Sequence, residues 1–116
     1  MGRGRRAASG AVPGARLIFR RARFGELIAR QLDLFEREHA HELERAAELL
    51  TAYDAADRDE AEERYGDYAD AVDEVVDLLE EMRDAYAAAL GEAEAERYED
   101  EFARAARRRF PRFPLG

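Results

Sequence analysis

Between Ala61 and Ala89 the residues Ala61, Tyr65, Tyr68, Val72, Val75, Leu79, Met82, Tyr86 and Ala89 recur at spacings of four and three without a slip. Only an α-helix keeps such a series on one side, and the regular alternation is a heptad seam. With Tyr65 at position a and Tyr68 at d, the flanking e and g positions include Ala69, Ala71, Val76, Leu78, Ala85 and Leu90. A two-stranded coiled coil carries charges there, so a stripe this wide calls for more than one neighbour and favours a bundle. Opposite the seam, Asp67, Asp70, Glu74, Asp77, Glu81 and Asp84 form an acidic ridge.

The same reading extends to both sides. Upstream, Ile28, Leu32, Phe35, His39, Leu43, Ala46, Leu50 and Tyr53 repeat at the same spacing. This predicts one long helix over 24–55. Its start is placed near Phe24 to Glu26 because Arg16, Arg20, Arg21 and Arg23 would oppose the dipole of a helix beginning earlier. Asp59 followed by Glu62 matches a capping box, so a second helix is expected over 59–90, after a short turn that folds the two into an antiparallel hairpin. Gly91 reads as a stop or kink. A third helix over 92–109 carries a thin apolar face of Tyr98, Phe102, Ala105 and Ala106, with acids early and Arg late as its dipole prefers. Pro111 and Pro114 then break the pattern.

The expected fold is therefore all-α: an antiparallel hairpin of two long helices plus a shorter third, completed into a bundle by self-association. Its domain spans 24–110, between a disordered basic arm over 1–23 and a tail over 111–116. Residues 1–15 hold four Gly, Pro13 and no periodic pattern, which is the signature of disorder.

Ala, Arg, Glu and Leu supply 71 of the 116 residues, a helix-rich composition, and Cys, Lys, Asn and Trp are absent. That removes thiol and Schiff-base nucleophiles, disulfides, CxxC zinc sites and N-glycosylation acceptors from the chemistry open to the chain. The excess of Arg over Lys also fits GC-rich coding, which weakens any argument from the number of Arg alone. The longest apolar run, Ala85 to Leu90, is far too short to cross a bilayer. Leu17 to Phe19 is too short for the apolar core of a signal peptide, and the near absence of Ser argues against a transit peptide. A cytoplasmic setting is expected.

The net charge of −8 conceals a segregation. All acids lie between Glu26 and Glu101, so residues 1–25 carry +7, residues 26–102 carry −20 and residues 103–116 carry +5. Arg-rich ends suit phosphate binding through counterion release, yet the aligned carboxylates repel a polyanion within a Debye length of about 8 to 10 Å. Nucleic-acid binding through the arms is thus a lesser alternative.

Two clusters suggest chemistry. Glu36, Glu38, His39 and Glu42 contain a Glu-x-x-His spacing, as do Glu38 and His41; this pattern aims a carboxylate and an imidazole at iron or manganese in four-helix carboxylate proteins. Such centres draw carboxylates from every helix, whereas the acids of the second helix avoid its seam. The plainer reading makes His39 a seam histidine with Glu42 beside it, and no cofactor is expected. The second cluster is Arg107, Arg108, Arg109, Phe110, Phe113 and Leu115, a basic and aromatic tail fit to anchor in a partner's groove or to cover the open end of its own bundle. The tyrosines at 65, 68, 86 and 98 are expected in the core with hydroxyls at the rim. Taken together, these features predict a non-enzymatic helical interaction or assembly module whose partners are itself and another protein.

Overall fold

The computed structural model describes the backbone of residues 13–115 and the side chains from Phe24 to Leu115. It is all-α, with four helices and no strand among the described residues. In chain order these are α1 (Pro13–Glu38), α2 (Ala40–Asp54), α3 (Ala61–Ala87) and α4 (Glu92–Arg109). No helix is long and apolar enough to cross a membrane among the described residues.

The single long first helix expected over 24–55 is two helices, α1 and α2, parted at His39 (φ −118°, ψ 29°). The amide of His39 still donates to the Phe35 carbonyl at 2.8 Å, and its own carbonyl accepts from the Leu43 amide at 3.0 Å. It therefore closes one helix and opens the next. The cause is a change of neighbour: α1 packs on α4, whereas α2 packs on α3. The helix also begins at Pro13, well before the expected Phe24. Proline's fixed φ suits a first turn, and the dipole penalty on cations fades beyond that turn. Arg20, Arg21 and Arg23 therefore lie too far in to forbid an earlier start. The part of the expected disordered arm that covers residues 1–12 lies outside the described residues.

Ring contacts fix the directions. Phe24 meets Tyr98 at 5.6 Å and Phe35 meets Phe110 at 5.8 Å, so α1 and α4 run parallel. Tyr86 meets Tyr98 at 4.8 Å across the turn between α3 and α4, and Tyr53 meets Tyr65 at 5.3 Å across the turn between α2 and α3; both of these pairs are antiparallel. The core lies in the lower half, where α1, α3 and α4 bring together Phe24, Ile28, Leu32, Phe35, Val75, Leu79, Tyr98, Phe102 and Ala106. Among the described residues the upper half is the α2–α3 hairpin alone. The molecule is correspondingly long, 74 × 27 × 22 Å with a radius of gyration of 20.0 Å, against about 13 Å for a compact chain of this length.

The seam on α3 is buried only in part. Val75 and Leu79 are fully covered, and Ala71 and Ala87 nearly so. Those two alanines stand about 160° apart around the helix at 3.6 residues per turn. The buried side thus rotates along α3, from α2 near the top to α4 near the bottom. Much of the width that asked for extra neighbours is met by these successive contacts within the chain.

Both expected helix signals at the turns are reassigned. The N-cap of α3 is Glu60, not Asp59, and no side chain caps it; Asp57 Oδ1 instead accepts from the amides of Asp59 at 3.1 Å and Glu60 at 3.2 Å, which ties the turn leading into the helix. The capping-box spacing pointed one residue too early because Asp59 still belongs to the tight turn that leads into the helix. Gly91 is the N-cap of α4 rather than the stop of α3. Its φ of −68° and ψ of 160° are open to any residue, and its carbonyl accepts from the Ala95 amide at 2.8 Å. The end of α3 closes through short bonds from the amides of Ala89 to Tyr86 and of Leu90 to Ala87. The third helix has the limits expected of it.

Candidate interaction groove

Where α4 ends, the hairpin goes on without a third helix. Pro111 cannot continue α4, and the chain turns so that the Phe113 amide donates to the Phe110 carbonyl at 3.0 Å. Above this turn lies a groove of 420 Å³, walled by Leu43, Ala46, Ala47, Leu50 and Thr51 of α2 and by Tyr68 of α3. Its foot is formed by Glu36, Phe110, Arg112 and Phe113. The α2 wall is a stripe at helical spacing, so it is apolar because the first-helix seam continues past the point where its cover stops. Thr51 adds little polarity, since its hydroxyl donates to the Ala47 carbonyl of its own helix at 3.1 Å.

The mouth of the groove is aromatic. Tyr53 and Tyr65 stack edge to face one turn beyond Leu50 and Tyr68, on the same side of their helices. Tyr65 is 53% exposed, although it occupies the seam position that repeats at Val72 and Leu79. It is an exposed knob beside an uncovered hole.

The foot is held by Arg109. Its Nη2 donates to Asp33 and to Glu36, each at 2.7 Å, which clamps the end of α4 onto α1. These hydrogen bonds to Asp33 and then Glu36 raise the guanidinium pKa above its ordinary value. Deeper, the fully buried Tyr98 donates its hydroxyl to Gln31 Oε1 at 2.8 Å. Burial pushes its pKa up to about 12, against the opposing effect of that hydrogen bond. Tyr98 thus sits in the core as the sequence suggests, whereas Tyr65 does not.

The tail residues divide. Phe110 is buried against Phe35, and Phe113 and Leu115 pack on the same core, so all three apolar anchors rest on the chain's own helices. Arg107 and Arg108 are exposed, and Arg109 is engaged as above.

The four carboxylate and histidine candidates do not converge. Glu36 is turned to Arg109 and Glu38 is exposed. His39 lies over Phe35 at 4.7 Å, with Nδ1 at 3.6 Å from Glu42 Oε1. No group of three or more possible ligands able to hold a metal ion occurs among the described residues. This donor set does not fit iron or manganese.

The acidic ridge is as drawn from the sequence: Asp67, Asp70, Glu74, Asp77, Glu81 and Asp84 are all exposed. Arg83 bonds Asp84 at 2.8 Å, and this contact raises the Arg83 pKa despite some burial. The groove itself was not read from the sequence. Its signal was the seam on 43–53 continuing past the level at which Pro111 ends the third helix. No protein-family model matches the chain, nor does any curated protein or solved structure.

Proposed function

We propose that this chain is a non-enzymatic helical interaction and assembly module of the cytoplasm, which docks a helical partner in the groove of the α2–α3 hairpin. The carrying observation is the incompletely covered seam: Leu43, Leu50, Tyr53 and Tyr68 stay half-buried and Tyr65 exposed, although they repeat the spacing that buries Val75 and Leu79 below, and no third helix lies over them among the described residues. Exposed apolar surface of this kind, rimmed by charge, is the mark of an interaction site. A partner helix laid there would extend the three-helix packing of the lower half along the whole of α3. The cytoplasmic setting rests on the sequence reading alone.

Position-specific photo-crosslinking in native cells tests this. A crosslinking residue at Ala47, exposed in the groove wall, is expected to give a discrete protein adduct; one at Leu34, exposed on α1 outside the groove, is expected to give none. No adduct from Ala47, or equal capture from both positions, would overturn the reading. An adduct with any protein supports it, whether that protein is foreign or another copy of the chain.

A further inference from the structure

We infer that the occupant of the groove is a second copy of this chain, docked antiparallel across a two-fold axis so that each copy's Tyr65 enters the other's groove. The inference rests on the proposed docking reading and adds to it the identity of the partner. A two-fold interface uses one patch on both copies, so whatever protrudes from the patch must match a recess in the same patch. The hairpin meets that condition. Its knob, the Tyr53 and Tyr65 pair, and its hole, between Leu50, Tyr68 and Phe113, lie on one face, the knob one helical turn beyond Leu50 and Tyr68. Turning one copy end for end about the middle of that face carries each knob over the other hole.

Charge selects the same arrangement. The hairpin tip, residues 54–64, carries six acids and two Arg, a net −4. The stretch at the foot of the groove, residues 107–112, carries four Arg and no acid; with Asp33 and Glu36 of α1 clamped on Arg109, the foot keeps a net +2. A parallel pairing would set tip on tip and foot on foot, like charge against like. The antiparallel pairing sets each acidic tip beside the partner copy's basic foot, and complementary rims of this kind fix register and speed encounter. The segregation of charge along the sequence acquires a purpose in the dimer, beyond the Arg109 clamp within each copy.

The test is analytical ultracentrifugation of the full chain from low to high micromolar concentration, at low and high salt. A species of twice 13.2 kDa is expected, with weaker association as salt rises. Tyr65→Asp, at a half-exposed position, should weaken the dimer by roughly 30-fold or more, as loss of a central aromatic anchor does, with helicity by circular dichroism unchanged. Arg112→Glu, also exposed, should weaken it less and reduce its salt dependence, and adding Glu62→Arg in the same chain should restore it. Leu34→Asp should leave it intact. A monomer throughout the range overturns the inference, and so does a dimer indifferent to both Tyr65→Asp and Arg112→Glu. A foreign adduct at Ala47 beside a monomeric chain would keep the docking reading and discard the self-pairing.

Discussion

Replacing Tyr98 by Phe removes one oxygen from the centre of the molecule and should make stability depend on pH in a way that changes sign. At neutral pH the variant loses the 2.8 Å hydrogen bond to Gln31. A neutral bond of this type contributes about 1 kcal/mol net, and Gln31 is only half-buried, so its oxygen can turn to water. Wild type should therefore be the more stable by about 1 kcal/mol near pH 8. In alkali the hydroxyl becomes a liability. Its pKa rises from the ordinary 10.0 to about 12 on folding. A group whose folded pKa is raised stabilises fully below the unfolded pKa and loses that contribution as pH climbs toward the folded one. At pH 11 the unfolded tyrosine has given up its proton and the folded one has not, which costs wild type about 1.4 kcal/mol. The phenyl ring of the variant has nothing to ionise, so the two stability curves should cross between about pH 10.5 and 11. Urea unfolding followed by circular dichroism, in steps from pH 8 to pH 11.5, reads the crossing directly. A difference that stays constant over this range would refute the argument, because it would mean that the hydroxyl is as hydrated in the folded chain as in the unfolded one.

Other substitutions probe the reassigned local signals. Asp57→Ala should cost about 1 kcal/mol in the same urea assay, since it removes the acceptor of two amides in the turn that leads into α3, whereas Asp59→Ala should change stability by less than about 0.5 kcal/mol. Gly66→Ala should stabilise by about 0.5 to 1 kcal/mol, because the position is helical and a Cβ there meets no atom within 4 Å. Phe102→Ala should cost about 3 to 5 kcal/mol, as Phe102 is fully buried, while Leu34→Ala on the exposed side of α1 should stay within about 0.5 kcal/mol.

The parts of this fold that could be read from the sequence are those that depend on local periodicity. The third helix, its Tyr98, Phe102 and Ala106 face and the acidic ridge all follow from spacing, since each lies on a single uninterrupted helix. The break at His39 does not, because it involves neither Gly nor Pro and leaves the Phe35, His39, Leu43 spacing intact. Its cause is the switch from α4 to α2's own neighbour α3, a tertiary event that leaves no mark on the heptads. The rotation of the buried side of α3 from Ala71 to Ala87 is hidden for the same reason: a seam names which residues are apolar, not which neighbour covers each. Of the candidate sites, Phe110, Phe113 and Leu115, expected as partner anchors or as a cover for the bundle's own end, pack on the chain's own core, and the groove became visible only once the level at which α4 ends was known.

The parallel pairing of α1 with α4 also shapes how the chain is made. Gln31 waits for Tyr98, and Asp33 and Glu36 wait for Arg109, partners separated by 67, 76 and 73 residues. At synthesis rates of about 5 to 20 residues per second, α1 spends roughly 4 to 15 s with the stripe from Phe24 to Phe35 uncovered before α4 is translated. The hairpin of α2 and α3, closed by a short turn, can form in that interval. Emergence of α4, rather than any step within the hairpin, is then when the core closes, and until that moment the nascent chain presents the Phe24 to Phe35 stripe to whatever holds nascent chains.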